Sequence, residues 1–426
     1  MTFLRSERNA ALLLLSAAVL GLVIANSPVG EQALQLIEAH IDMPWIGLDL
    51  SAEHWIADGL LAVFFFVVAV ELKRELVLGE LNSVRKAALP TIAALGGVLV
   101  PAGVYLIFVA GTPELLNGWP VPTATDIAFA LGVLALFGRW IPTRVRVFLL
   151  ALAVLDDLVA ILIIAFFFTA DVRLDYLGFA AITLVAFAGI SRFMNPRSRW
   201  ILARKPQVPI TLVLIALAAL TWYFVYLSGV HATIAGVLLG FVIARRPGGR
   251  VAHVVEPWSN GVILPLFALT AAMVPFPEVR PSELSPAFWG IAVALPFGKI
   301  IGITLAGWIG GLFTHRNAES KPLTFGDLVG VGALGGIGFT VALLMNELAF
   351  RTDVLVRNEG VLAVLLGSGV AILMSAVIVT MLSARYKKAA LAPKHEETVG
   401  EAPSVIVGEG PEFEGGIEGP EAPKKR

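Results

Sequence analysis

The chain has 426 residues, of which 57% are hydrophobic and only 15% charged, with a formal net charge of -1. Soluble domains carry nearer a quarter charged residues, so this is a membrane composition, and the balanced charge gives no footing for nucleic acid. Cysteine is absent, which excludes disulfides and thiolate metal sites.

The first element is an apolar run from Ala10 to Ala25 behind Arg5 and Arg8. It could pass for a signal peptide, but apolar segments follow along most of the chain, so it reads as a retained first span. A span needs about 20 mostly apolar residues to cross roughly 30 Å of hydrocarbon. Twelve segments are predicted to do so: 9–27, 55–78, 87–110, 121–138, 144–170, 174–192, 208–228, 231–245, 258–277, 287–312, 326–349 and 359–384. The weakest, 231–245, is squeezed between Gly229 and Arg245. After the first span, the acidic stretch from Pro28 to Glu53 is an external loop, and its Pro44–Leu50 portion is either a short hairpin or a plain loop.

Loop charge tests the count. With both ends assigned to the cytoplasm, that side holds nearly all the basic residues, among them Lys73, Arg74, Arg85, Lys86, Arg139, Arg144, Arg146, Arg197, Arg199, Arg204, Lys205, Arg245, Arg246, Arg250, Arg316, Lys321 and Arg385. The opposite side holds Arg173, Arg280, Arg351 and Arg357. This positive-inside bias supports an even number of spans in a bacterial inner membrane. Residues 1–388 then form the transmembrane domain. From Ala389 the chain turns polar and rich in Glu, Gly and Pro, so 389–426 is expected to be a disordered cytoplasmic tail.

A charge at mid-bilayer costs at least ~2.5 kcal/mol, which makes intramembrane ionisable residues functional candidates. Four stand well inside predicted spans: Asp126, Asp156, Asp157 and Lys299. Asp156 and Asp157 interrupt an otherwise apolar run, and neighbours on a helix point about 100° apart, so the two carboxylates cannot share one face. One can meet a water-filled cavity while the other meets a neighbouring helix. Buried acids in close reach titrate as a coupled pair, burial and mutual repulsion both opposing the doubly charged state. Such a site can exchange a proton for a hard cation with a preference for oxygen ligands. The bland reading is a pair of acids neutralised within the bundle, but Lys299 alone cannot neutralise three. Lys299 itself either pairs with an aspartate, balances negative helix ends, or snorkels to an interface.

Asp126 follows Pro122, Thr123 and Thr125. Proline removes a helical donor and the hydroxyls can satisfy freed backbone groups, so the fourth span is expected to break at Pro122. The run Gly335-Gly336-Ile337-Gly338 suggests a second break in the eleventh span at Gly336 and Gly338, although close helix packing also explains such a run. Helix breakers in corresponding spans of two halves point to a transporter site at the midplane. Half-helix ends carry partial charge, so Asp126 is assigned to balance the positive ends and Lys299 the negative ones. Glu71 and Glu75, one helical turn apart at the end of the second span, form either an acidic funnel that attracts cations and senses pH or an ordinary interfacial helix end. His231 and His253 are further candidates for pH sensing, or else loop-edge histidines.

These residues resemble a known family. Thr125-Asp126-Ile127-Ala128-Phe129-Ala130-Leu131-Gly132, Leu155-Asp156-Asp157-Leu158, Gly229-Val230-His231-Ala232-Thr233, Gly298-Lys299 and Gly336-Ile337-Gly338-Phe339-Thr340 are together similar to the bacterial NhaA sodium/proton antiporters, in order, from about residue 10 to residue 385. The resemblance implies an all-α polytopic fold of twelve helices with inverted repeats and two discontinuous crossing helices. It implies Asp157 as the principal cation and proton site, Asp156 as its partner pairing with Lys299, Thr125 and Asp126 at the unwound crossing, and Glu71 and Glu75 in a pH-responsive funnel. It further implies electrogenic expulsion of Na+ or Li+ against entering H+, a carrier rather than an enzyme, no cofactor, and a homodimer formed through the external hairpin. The chain departs from the family where Ala252 and Glu256 stand in place of a Glu and a second His, which bears on the pH set-point and adds Glu256 to the sensing candidates.

Three competing readings are weaker. An intramembrane aspartyl protease needs aspartates on two helices, one in a Gly-x-Gly-Asp setting, and Asp327 follows Phe325-Gly326. A channel needs rings or a carbonyl filter. A sodium-coupled solute symporter needs a roomier polar core than four clustered charges provide.

Overall fold

The computed structural model describes residues 7–43, 47–79, 81–169, 172–194, 207–277, 280–313 and 322–391, and it is almost entirely helical. Helix α1 (Glu7–Ala25) leads to a short amphipathic helix α2 (Gly30–Glu38) and an antiparallel hairpin of β1 (His40–Met43) and β2 (Leu48–Ser51). The loop after the first span therefore contains a hairpin, longer than the Pro44–Leu50 portion expected. Its pairs run from His40 opposite Ser51 to Met43 opposite Leu48, and Pro44, Trp45 and Ile46 at its tip lie outside the described residues. Leu48 and Leu50 are buried whereas His40, Ile41 and Asp42 face outward.

The remaining helices are α3 (Ala52–Leu78), α4 (Val84–Val109), α5 (Ile127–Phe137), α6 (Thr143–Phe167), α7 (Leu174–Phe193), α8 (Gln207–Leu227), α9 (Thr233–Val242), α10 (Arg245–Ala271), α11 (Pro286–Phe313), α12 (Phe325–Gly335), α13 (Phe339–Ala349) and α14 (Val354–Leu391). Counting α1, nine helices among the described residues are long and apolar enough to cross a membrane, and two further spans are bent pairs. One joins Pro113–Thr123 to α5 at 45°, the other α12 to α13 at 52°. With the short apolar helix α9, each of the twelve expected segments has its counterpart. Outward faces are lined by side chains such as Ile107, Phe166 and Leu373, all at least 70% exposed, which only a lipid environment accommodates.

Two boundaries move. The first break falls at 124–126 rather than at Pro122, which lies inside a tight turn over Val121–Thr123. Proline at the second position of that turn costs no hydrogen bond, so the chain stays wound through Thr123 and unwinds only over 124–126, before Asp126 caps α5. Ala389–Leu391, assigned to the tail from sequence, continue α14; the rest of the tail, 392–426, lies outside the described residues, as do Arg5, Arg197, Arg199, Arg204, Lys205, Arg316 and Lys321.

Small residues set the packing, as expected where lipid removes the usual hydrophobic drive between helices. On α9, Gly236 rests against the Ala62 carbonyl and Gly240 against that of Phe66, which welds α9 to α3. Gly96 of α4 meets Gly302 of α11 in the same way. Replacing Gly236 by Ala forces a methyl group into the Ala62 backbone, and overpacking of this kind costs about 1–3 kcal/mol. The melting point in detergent should fall accordingly, whereas Gly103→Ala, which meets nothing within 4 Å, should leave it unchanged or slightly raised.

At the end of the bundle where α6 and α12 begin, a polar knot ties three spans. Asp327 is fully buried at the start of α12 and caps it reciprocally with Thr324. The Tyr386 hydroxyl of α14 donates to both Asp327 oxygens, at 2.7 and 3.0 Å. Arg144 of α6 lies 3.6 Å from the same carboxylate and donates to the Tyr386 oxygen at 2.9 Å.

Candidate functional site

The two bent spans meet where each is unwound. The Asp126 N–H donates to the Ile337 carbonyl at 2.6 Å, and the Thr125 hydroxyl donates to the Gly335 carbonyl at 2.8 Å. Such close passage of two backbones needs missing side chains. A Cβ on Gly338 would sit 2.8 Å from the Ala124 carbonyl oxygen and 2.6 Å from Leu295. The glycine run thus serves the crossing itself.

Asp126 stands at the head of α5, where one carboxylate oxygen accepts from the Phe129 N–H at 3.2 Å. Its other oxygen accepts from the Thr340 hydroxyl at 2.7 Å and the Thr340 N–H at 3.2 Å, at the head of α13. One buried carboxylate therefore caps two helix N-termini, both of which carry partial positive charge.

Lys299 is fully buried. Its Nζ donates to Asp156 Oδ2 at 2.5 Å and to the Thr125 hydroxyl at 3.0 Å. Since that hydroxyl in turn donates to the Gly335 carbonyl, the cation reaches the negative end of α12 through one intervening oxygen. The other Asp156 oxygen is buried without a hydrogen-bond partner. Asp156 is thus committed to Lys299, and the helical turn sends Asp157 elsewhere.

Asp157 is 7% exposed and lines a cavity of about 290 Å³ together with Thr125, Asp126, Thr340, Asn260, Glu71, Arg74, Glu75 and Glu256. The structure accordingly brings Asp157, Asp126, Thr125, Glu71, Glu75 and Glu256 to one aqueous space, with Asp156 and Lys299 just behind it. His253 is exposed on α10 and does not line the cavity. His231 sits at the far end of α3 from Glu71, buried beside Asp58 and Arg351.

Two polar groups of the cavity had been given no role from sequence. Thr340 closes the Gly-Ile-Gly-Phe-Thr run, and Asn260 is a lone amide in an apolar span, a signal of the same kind as the aspartates though uncharged. Apart from the bases, every donor around Asp157 is oxygen or a primary amide, a set that suits a small hard cation or a proton.

The sequence profile of the family described as Na+/H+ antiporter 1 matches residues 1–379. A protein of Clavibacter michiganensis subsp. michiganensis named Na(+)/H(+) antiporter NhaA 2 is 54% identical over 396 residues, 93% of this chain and 95% of its own length. A Tropheryma whipplei protein named Na(+)/H(+) antiporter NhaA is 47% identical over 392 residues, 91% of this chain and 96% of its own. A protein of the same name from Caulobacter vibrioides is 41% identical over 396 residues, 90% of each chain.

Proposed function

Because the chain belongs to the Na+/H+ antiporter 1 family, we propose that it exchanges cytoplasmic Na+ or Li+ for external H+ at Asp157, with alternating access. The observation that carries this reading is the division of labour between neighbours. Asp156 is held by Lys299, whereas Asp157 has no such partner among the described residues and faces the acid-lined cavity. A carboxylate in that position holds either a proton or a small alkali ion, and loss of one makes room for the other. The crossing supplies a setting in which the helix ends are already balanced, by Asp126 on the positive side and by Lys299 through Thr125 on the negative side.

The exchange is electrogenic, more protons entering than cations leaving, and is regulated by pH. Glu71, Glu75 and Glu256 at the cavity mouth attract cations and respond to proton concentration, with His253 nearby on α10. Deep burial and the Arg351 contact argue against His231 acting as a sensor. The chain lies in the inner membrane with both termini cytoplasmic, in keeping with the distribution of Lys and Arg. The outward-facing, unpaired edge of β1 suits pairing with a second copy, which supports a homodimer.

Proton movement in proteoliposomes, with Na+, Li+ and K+ compared at several pH values, tests the exchange. The expected result is a proton flux that Na+ and Li+ drive, that K+ does not, and that collapses a membrane potential of the appropriate sign. A flux independent of every cation overturns the reading.

A further inference from the structure

The cavity that reaches Asp157 has its mouth at Glu71 and Glu75, near the end of α3. Asp58 lies 13 residues earlier on the same helix, about 20 Å away at 1.5 Å per residue. There three aromatic rings pack together. Trp222 is stacked between Trp55 and Tyr226, with ring centroids at 5.6 and 5.9 Å, and its indole N–H donates to the Asp58 carbonyl at 2.8 Å. Beside this aromatic stack runs a line of three polar side chains. Arg351 Nη2 is 3.2 Å from His231 Nδ1, and His231 Nε2 is 3.5 Å from Asp58 Oδ1.

A guanidinium only donates, so Nδ1 accepts and the imidazole proton sits on Nε2, which is buried beside Asp58 without a hydrogen bond to it. The His231 and Asp58 side chains are only 4% and 15% exposed, so water is largely excluded. Glu53, His54, Glu347 and Arg357 complete the ionisable surroundings.

The three residues come from different spans. Asp58 is on α3 and His231 is in the turn before α9, the two helices welded by Gly236 and Gly240. Arg351 follows directly on α13, the half-helix whose head supplies Thr340 to the cavity. We propose that Arg351, His231 and Asp58 form a latch that holds the external end of the transport route closed while the Glu71 end is open, and that parts when Asp157 is offered to the other side. This rests on the alternating-access reading above. Charged side chains suit the task. A desolvated ion pair gains little net energy over its hydrated partners, so a latch of this chemistry opens at small cost once water enters, whereas a fully apolar plug does not.

The absence of cysteine makes the test direct. Val341 lines the cavity two residues into the external half of the second bent span, so Val341→Cys reports which side reaches the site. A membrane-impermeant thiol reagent, applied to right-side-out and inverted vesicles without a cation gradient, should label it from the Glu71 side in the otherwise native chain. Arg351→Gln should raise labelling from the opposite side by about tenfold, the signature of a shifted two-state population, and Arg351→Lys should restore the original sidedness. Asp58→Asn, nearly isosteric, should act as Arg351→Gln does and carries the test if the latter fails to fold. Unchanged sidedness in both overturns the latch. If sidedness is unchanged while Na+ still drives proton flux, the latch is wrong and the exchange stands. If sidedness shifts but no cation drives proton flux, the exchange reading falls and the latch survives.

Discussion

Asp157→Asn should reduce sodium-dependent proton movement in inverted vesicles to background while leaving the protein folded. Asparagine keeps the shape and most of the hydrogen-bonding capacity of the residue, but it neither releases a proton nor contributes a negative charge to a cation. Since Asp157, unlike Asp156 with Lys299, forms no salt bridge among the described residues, the substitution strands no buried charge, and a large loss of exchange is expected with little loss of stability. The native protein should also show competition of defined sign. As pH falls, protons displace the cation, and the Na+ concentration for half-maximal exchange should rise by about tenfold per pH unit for each competing proton. A mutant that exchanges normally, or an Na+ requirement indifferent to pH, removes Asp157 from the proposed role.

Lys299→Ala should be among the most destabilising single changes in the chain. It removes the one cation bonded to Asp156 and leaves a carboxylate at 2% exposure facing a hydrocarbon-depth interior. Breaking a buried pair by deleting one partner costs about 3–5 kcal/mol. It also unseats Thr125, whose hydroxyl then has one contact instead of two. The diagnostic comparison is the double variant Lys299→Ala with Asp156→Asn. If the penalty is the stranded charge, the double variant recovers most of the melting temperature lost by the single one. Equal destabilisation of single and double variants would instead assign the loss to the missing lysine stem.

Much of this site was legible in the sequence because charge is so costly inside a bilayer. Asp126, Asp156, Asp157 and Lys299 stood out against apolar neighbours, and the helical angle between adjacent residues already divided Asp156 from Asp157. The spans were legible for the same reason, and the weakest expected segment, 231–245, corresponds to the short apolar helix α9. The position of the first break was not, since proline is harmless at the start of a tight turn and only the partner strand reveals that Asp126 heads a new helix. Thr340 was hidden too. A hydroxyl beside a glycine run looks like helix packing until Asp126 is seen to reach it from another span. Asp58 and Arg351 escaped notice because charged residues near span ends are ordinary, and nothing in hydrophobic periodicity tells which loops meet across the bundle.

The Asp327–Tyr386–Arg144 knot has a mechanical meaning of its own. It clips together the near ends of α6, α12 and α14, and two of these helices carry, farther along, Asp156 with Asp157 and the Gly335 carbonyl that Thr125 holds. Helices pinned both at the rim and at the centre resist sliding past one another. The ion's cradle then travels as a single stiff block, and the parts left to rearrange are those that border it.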